Sequence, residues 1–227
     1  MELRYSRQVH PYLLSEADQQ KLIDSTVTVC GCGGLGSPVL LYLSAAGIGT
    51  IHVFDYEVVE PSNLNRQILY TDTDIGKSKA DTAVKHLKAL NPTITLHAHI
   101  VDIVKSEEFT KAVKQSDVVV DCLDTFSIRR FVGRLADAAN VPLVHGGLYG
   151  WQGELSIFLP GDKPSLEETL LGREDQYGVP VLGPVAGVIG CMQALETIKL
   201  LIGQPSIDVH KFHMFDGQEG TWFSYPK

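Results

Sequence analysis

The feature that most constrains the fold is a short apolar strand that runs directly into a glycine-rich turn. Residues 26–30 (TVTVC) form a β-branched apolar run, and the turn at residues 31–36 (GCGGLG) follows at once. This order is typical of a nucleotide-binding βαβ unit, because glycines allow a tight turn, backbone approach to phosphate and close helix packing. We therefore expect a Rossmann-like, doubly wound α/β sheet. The candidate nucleotide-binding glycines are Gly31, Gly33, Gly34 and Gly36.

A helix and a second strand complete this unit. The helix predicted from Ser37 to about Ala46 would direct its free N–H groups at an anion. The next strand, residues 50–54, is followed by Asp55, whose carboxylate can accept hydrogen bonds from ribose hydroxyls. The pattern predicts that an adenine nucleotide binds here, but it does not distinguish ATP from NAD. The alternative is that the glycine turn serves packing alone and binds no nucleotide.

Three side chains beyond the second strand favour ATP over NAD. Asn63, Arg66 and Lys79 supply an amide and two cations. A dinucleotide does not need them, since the helix N-terminus already serves its two phosphates. A triphosphate needs more counter-charge and a neutralised leaving group. Each charge alone fits a solvated surface, but their joint placement favours a triphosphate site.

A carboxylate is expected on the other side of the same crevice. The predicted buried strand at 117–121 ends shortly before Leu123 and Asp124. Because the carboxyl ends of strands line the ligand crevice of an open α/β sheet, both residues should lie near the nucleotide. A carboxylate beside phosphates is repelled unless it holds Mg²⁺, so we interpret Asp124 as a magnesium ligand. The alternative is an N-cap for the helix predicted over 125–138, and the two roles can coexist.

The rest of the chain divides into a leader, residues 1–25, and one ATP-binding domain, residues 26–227. The leader contains a helix that begins at Ser15. The C-terminal part contains strands expected to pair in antiparallel fashion, an apolar buried helix that includes Cys191, and a long irregular loop at 160–184. His97 and His99 share one face of a strand and are interpreted as a solvent-facing pair, because no third metal ligand lies nearby in the sequence.

Composition indicates which partners are excluded and in which compartment the protein is expected. The formal net charge of the 227 residues is −8, which argues against nucleic acid or an anionic membrane as the main partner. The four cysteines form no CxxC pair, and this is typical of a reducing compartment. The N-terminus has no signal-peptide pattern. We therefore expect a cytoplasmic protein.

Several short motifs occur together along nearly the whole chain. They are RYSRQ at 4–8, the glycine turn at 31–36, SNLNRQ at 62–67, GKSK at 76–79, DCLD at 121–124, GPV at 183–185 and QALE at 193–196. In this order they resemble the ThiF/MoeB/HesA family, relatives of the ubiquitin-activating enzymes. Within that family the chain is most similar to ThiF-type members, which act in thiamine biosynthesis.

The resemblance implies an ATP-dependent adenylyltransferase that activates the C-terminal Gly-Gly carboxylate of a ubiquitin-like sulfur-carrier protein. It implies that Asp55 binds ribose, that Asn63, Arg66 and Lys79 hold phosphates, and that Asp124 coordinates Mg²⁺. It also implies a homodimer in which Arg7 reaches the neighbouring site.

The chain departs from the family pattern in two ways, and three alternative functions remain. The CxxC pairs that hold a structural zinc in family members are missing, so we expect no zinc site, and we assign no cysteine as a nucleophile. The alternatives are a MoaD-type carrier of molybdopterin biosynthesis, an NAD-binding oxidoreductase, and an inactive partner subunit of an activating enzyme.

Overall fold

The apolar runs of the sequence form an eight-stranded sheet in the computed structural model, which describes residues 3–175, 178–204 and 206–227. The strands are β1 (Thr26–Cys30), β2 (Thr50–Phe54), β3 (Thr95–His99), β4 (Val118–Asp121), β5 (Leu143–Tyr149), β6 (Gln152–Phe158), β7 (Lys211–Asp216) and β8 (Thr221–Pro226). Their order is β3-β2-β1-β4-β5-β6-β7-β8. Neighbours are parallel from β3 to β5 and antiparallel from β5 to β8, so the predicted fold class is confirmed.

Helices cover both faces of the sheet, as a doubly wound fold requires. They are α1 (Glu16–Asp24), α2 (Gly36–Ala46), α3 (Lys79–Leu90), α4 (Glu107–Gln115), α5 (Phe126–Ala138), α6 (Leu166–Thr169) and α7 (Gly183–Ile202). One core lies under α1, α2, α3 and α7, and the other lies under α4, α5 and α6. Strand β4 serves both, since Val118 and Val120 enter the first core and Val119 enters the second.

The helix ends follow local sequence signals. Ser15 and Asp18 form the predicted capping box at the start of α1, with the Asp18 N–H 3.0 Å from Ser15 Oγ. Gly47 ends α2 in the left-handed conformation, at φ 87°. These signals act over a few residues, which explains why the sequence predicted the boundaries well.

The long apolar helix α7 lies against α2 and strands β4 to β6. Its length and composition would allow it to cross a membrane, but half of this apolar stretch is buried inside the structure. Gln193 on α7 donates a 2.7 Å hydrogen bond from Nε2 to the carbonyl of Asp121 at the end of β4. The predicted buried helix is therefore present, although Cys191 is partly exposed and is not the core residue we expected.

The stretch at 160–184 has more structure than a loop. It contains the short helix α6, and the first residues of α7 also belong to it. Leu166 and Leu170 are buried against α5. Gly133 makes this packing possible, because a Cβ there would lie 2.9 Å from the Leu166 Cβ.

The prediction of two solvent-facing histidines is wrong for one of them. His99 is buried, with Nδ1 2.7 Å from Glu108 Oε1 and Nε2 2.9 Å from His52 Nδ1. The His97 ring stacks on His52, with centroids 4.9 Å apart. Neighbouring strands and α4 create this cluster, so the spacing within one strand could not reveal it.

This cluster predicts a loss of stability in mild acid. Burial and the neighbouring His97 and His99 lower the pKa of His52 from 6.5 to about 4, against the opposing attraction of Glu108. The unfolded chain therefore binds more protons between pH 6.5 and 4, and the stabilisation is lost as the pH falls through this window. Thermal unfolding midpoints of His52→Gln should depend less on pH there than those of the wild type. The exposed His10→Gln is the control, and an unchanged slope in His52→Gln would contradict the prediction.

Candidate nucleotide-binding site

A cavity of about 530 Å³ opens where the strand order reverses between β1 and β4. Such a switch point is where open α/β sheets bind ligands, at the carboxyl ends of the strands. The structure brings eight of the predicted residues to this cavity: Gly31, Gly33, Gly34, Asp55, Arg66, Lys79, Leu123 and Asp124. Gly36, Asn63 and Arg7 do not line it.

The four glycines of the turn have two different roles. Gly31 has φ 94°, and a Cβ there would lie 2.7 Å from the Cys122 carbonyl oxygen. A Cβ on Gly36 would lie 2.1 Å from the Gly31 carbonyl oxygen. These two positions therefore require glycine for the turn itself. A Cβ added to Gly33 or Gly34 would have its nearest protein atom at 3.6 or 3.4 Å, which is an ordinary contact distance. Both glycines line the cavity. Gly31 and Gly36 therefore shape the turn, and Gly33 and Gly34 leave backbone accessible from the cavity.

Substitution of Gly36 should damage the turn. In Gly36→Ala the new methyl group overlaps the Gly31 carbonyl, which cannot move without distorting the turn. We expect a loss of about 1–3 kcal/mol in the free energy of unfolding, together with weaker ATP binding. Gly187→Ala is the control, because a Cβ there meets nothing within 4 Å and alanine favours a helix. Denaturant unfolding and ATP titration test both variants; equal behaviour of the two would contradict this assignment.

Asp55 connects the turn to the end of β2. Its Oδ2 accepts a 2.8 Å hydrogen bond from the Cys32 N–H, and its Oδ1 accepts a 2.9 Å bond from the Glu57 N–H. Burial raises the pKa of Asp55, while the two backbone bonds and the charge of Lys79 oppose that shift. A carboxylate offers about four acceptor positions, so ribose hydroxyls can still bind.

The turn after β2 presents Arg66 to the cavity. Arg66 Nη1 donates to the Ser62 carbonyl at 2.9 Å and to Asn65 Oδ1 at 3.0 Å, which leaves the other guanidinium donors available. Asn63 is buried instead, and its Oδ1 accepts a 3.0 Å bond from the Glu60 N–H. Its carbonyl accepts from the Arg66 N–H at 3.1 Å, so Asn63 shapes the turn that carries Arg66.

Lys79 lies at the first position of α3 and is almost completely buried. Its Nζ is 2.5 Å from Glu57 Oε2, whose side chain is about half exposed. Glu57 also lines the cavity and was not among the predicted site residues. This pair fixes the ammonium group of Lys79 in the cavity wall. A phosphate could bind the ammonium group together with the Glu57 carboxylate or in its place.

Asp124 is exposed at the opposite wall, beyond the end of β4. The N-cap position of α5 is Thr125, so the alternative role of Asp124 as the cap is wrong. Asp124 Oδ1 accepts one 3.0 Å hydrogen bond from Thr125 Oγ1, and the carboxylate has further lone pairs. Mg²⁺ is usually held by one or two carboxylates together with substrate phosphates, so Asp124 fits this role. Among the described residues, no group of three or more His, Cys, Asp or Glu side chains is arranged to hold a metal ion.

Arg7 lies outside the cavity on an exposed part of the leader. Two residues earlier, Tyr5 is buried and its hydroxyl accepts a 3.0 Å hydrogen bond from Asn91 Nδ2. Arg4 donates from Nη1 to the Leu90 carbonyl at 2.9 Å. The leader is therefore fixed on its own domain, and the action of Arg7 at a neighbouring site stays a prediction.

A buried polar network beneath the cavity was not expected. His145 Nδ1 lies 2.7 Å from Asp121 Oδ2, and His145 Nε2 lies 3.1 Å from Glu154 Oε1. Burial opposes protonation of His145, but its hydrogen bonds with the two carboxylates outweigh that cost and raise the pKa of the imidazole. Glu154 is a charged residue within an apolar strand, β6, and this is the sequence signal that could have indicated the network.

Arg129 joins this network to the strand that precedes Asp124. Its guanidinium is buried and donates from Nη2 to the carbonyls of Leu123 and of Gly146, the latter at 3.0 Å. Its Nε lies 3.8 Å from Asp121 Oδ2. Arg129 therefore connects the end of β4 to the middle of β5 and fixes the backbone from which Asp124 extends.

Comparison with known proteins agrees with this geometry. The model of the ThiF family matches residues 5–227, and the chain belongs to this family. It is 38% identical over 227 residues to the sulfur carrier protein ThiS adenylyltransferase of Escherichia coli (strain K12), covering 98% of this chain and 90% of the relative. It is 34% identical over 229 residues to the SAMP-activating enzyme E1 of Haloferax volcanii, covering 98% and 84%. The predicted enzyme class, adenylyltransferase, is confirmed.

Solved structures share the fold. The crystal structure of E. coli MccB with ATP superposes with a TM-score of 0.86 at 24% identity, over 100% of this chain and 72% of that chain. The structure of E. coli MccB with succinimide gives a TM-score of 0.87 at 23% identity, with the same coverage. At this level of identity the comparison confirms the fold alone.

Proposed function

We propose that this protein is an ATP-dependent adenylyltransferase that activates the C-terminal carboxylate of a small ubiquitin-like sulfur-carrier protein ending in Gly-Gly. The observation that carries the proposal is that the glycine turn, Arg66, Lys79 and Asp124 line the same cavity at the switch point of the sheet. The similarity to relatives named for the carriers ThiS and SAMP supports this substrate class. A ThiS-like carrier of thiamine biosynthesis is our first candidate, and a MoaD-type carrier is the second.

The reaction joins two anions. A carboxylate oxygen of the carrier attacks the α-phosphorus of ATP, the bond to the bridging oxygen breaks, and pyrophosphate leaves with the bonding electrons. An acyl-adenylate remains. Positioning and neutralisation of charge supply most of the catalysis in such transfers. We assign the phosphates to Arg66, Lys79 and the N-terminus of α2, and the ribose to Asp55.

Bound at Asp124, Mg²⁺ would neutralise charge on the phosphate oxygens. Asp124 would orient the metal from the end of β4, and Arg129 would keep that strand end in place. We further propose that the protein acts as a cytoplasmic homodimer with Arg7 reaching the neighbouring site, and that it contains no structural zinc. Metal analysis of the purified protein checks the last point, and one tightly bound zinc per chain would contradict it.

Pyrophosphate exchange tests the proposed function. Labelled pyrophosphate should enter ATP only when Mg²⁺ and a carrier ending in Gly-Gly are both present. The matched control is the same carrier without its last glycine, because the reacting carboxylate then no longer reaches the α-phosphorus. Exchange that is no greater with a cognate carrier than without one would overturn the proposal. ThiS-like and MoaD-type carriers, compared side by side, decide the pathway.

A further inference from the structure

The segment at 165–175 is held against α5 by polar contacts as well as by its buried leucines. Arg130 on α5 donates from Nη1 to the carbonyls of Leu170 and Arg173, at 3.1 and 3.0 Å. Asp175 accepts hydrogen bonds from the N–H of Ser127, at 2.9 Å, and from its Oγ, at 2.7 Å. The segment is therefore held through its backbone at residue 173 and through the Asp175 side chain two residues later.

These contacts place a cation in the cavity wall to which the sequence analysis gave no role. Arg173 lines the cavity, with its guanidinium carbon 5.8 Å from the centroid of the Phe126 ring. The Arg173 side chain lies close enough to Glu154 and Tyr225 to affect the pKa of both. A guanidinium has five N–H donors, so Arg173 can interact with Tyr225 and still offer a pair of donors to a carboxylate.

Apart from Arg129, whose guanidinium donates to the carbonyls of Leu123 and Gly146, the cations that line the cavity fall into two groups. Arg66 and Lys79 lie beside the glycine turn and β2, where the triphosphate is assigned. Arg173 lies on the side of β6 and β8, together with other lining residues that belong to β5, β6 and β7: Gly147, Tyr149, Gly153, Glu154 and Met214. A nucleotide held at the glycine turn leaves this second region for the other substrate.

That region already contains negative charge, so an anionic substrate needs a cation there. Burial opposes ionisation of Glu154, but the hydrogen bond from His145 and the charges of Arg129 and Arg173 outweigh it and lower the pKa of Glu154 to about 2. Glu154 is therefore ionised at neutral pH. An approaching carboxylate would meet Glu154 and Asp124, which line the cavity, as well as the triphosphate, and like charges repel.

We propose that Arg173 binds the C-terminal carboxylate of the peptide substrate, and that Arg130 and Asp175 are positioning residues that hold Arg173 in the cavity. This inference rests on the proposed function, because it assumes a substrate that ends in a reacting carboxylate. Arg173 offsets the repulsion during approach and orients one carboxylate oxygen, while Arg66 and Lys79 serve the phosphates.

Binding measurements with two forms of one carrier test the proposal. The probe is E. coli ThiS with its natural C-terminal carboxylate, compared with the same protein ending in a C-terminal amide. Wild-type protein should bind the carboxylate form more tightly, and Arg173→Gln should lose that preference. Charged hydrogen bonds contribute about 1.5–3 kcal/mol, so the carboxylate form should bind Arg173→Gln about 10- to 100-fold more weakly. Arg173→Lys should recover part of the affinity, and the affinity for ATP should not change.

Further variants separate positioning from general damage. Arg130→Gln should weaken carrier binding in the same direction as Arg173→Gln, because it releases the backbone at residue 173. Arg134→Gln is the matched control: it lies one turn along α5 and pairs with Glu167 at 2.8 Å, but it does not contact Arg173. Thermal unfolding of each variant reports any loss of folded protein.

The possible outcomes distinguish this inference from the proposed function. An Arg173→Gln variant that still prefers the carboxylate form overturns the inference, even when wild-type exchange is fully dependent on carrier. Loss of ATP affinity in Arg173→Gln with unchanged carrier affinity also overturns it and assigns Arg173 to the triphosphate. Failure of wild-type protein to exchange pyrophosphate with any carrier, or to prefer the carboxylate form of the carrier, counts against the proposed function and against the inference that depends on it.

Discussion

Replacing Asp124 with alanine is expected to reduce carrier-dependent pyrophosphate exchange by about 10²- to 10³-fold, the range seen when one electrostatic stabiliser of a transition state is removed. The physical reason is that Asp124 is the carboxylate of the cavity assigned to Mg²⁺, and its loss leaves the charge of the phosphates less neutralised. Stability should change little, because Asp124 is exposed and, within the described residues, its side chain accepts a hydrogen bond from the neighbouring Thr125 alone. Initial rates measured over a range of Mg²⁺ concentrations check this result.

Thr125→Val is the matched control for that variant. It removes the 3.0 Å hydrogen bond to Asp124 Oδ1 but leaves the carboxylate in place. It should therefore retain most of the activity and an unchanged dependence on Mg²⁺. An Asp124→Ala variant with a wild-type rate, or one that loses activity no more than Thr125→Val, would exclude Asp124 as the metal ligand.

Mixing Arg7→Ala chains with Asp124→Ala chains is expected to restore activity that neither variant has alone. Arg7 is exposed and does not line the cavity of its own chain, so its action on the triphosphate requires a second copy. A heterodimer of the two variants would contain one site with both residues intact. We expect close to half of the wild-type rate per heterodimer, and nearly none from either homodimer.

Subunit exchange must be confirmed for this comparison, for example by differently tagged chains that are purified together. Arg4→Ala with Asp124→Ala is the control mixture, because Arg4 donates to the Leu90 carbonyl of its own chain. Arg4→Ala homodimers should remain active. No recovery in the Arg7 mixture despite confirmed exchange would show that Arg7 serves its own site or none.

The sequence by itself determined the parts of this protein that depend on local rules. The order of strand, glycine turn, helix and second strand specified the βαβ unit, since hydrophobic period and turn chemistry act over a few residues. Because strand ends in such a sheet meet at one edge, the positions of Gly31, Asp55 and Asp124 at one cavity also followed from the sequence. Arg66 and Lys79 were found in the same way, from charge beside a predicted crevice.

Only the tertiary structure decided which side chains meet across elements. The partnership of His145 with Asp121 and Glu154 joins three strands, and that of His99 with His52 and Glu108 joins two strands and a helix. Arg173 enters the cavity because Arg130 on α5 holds its backbone from 43 residues away in the chain. Such contacts depend on how the strands pair and how the helices pack on them. The periodicity within one segment contains no information about its partner, so the charged network beneath the site and the cation at its far side could be found only in the folded molecule.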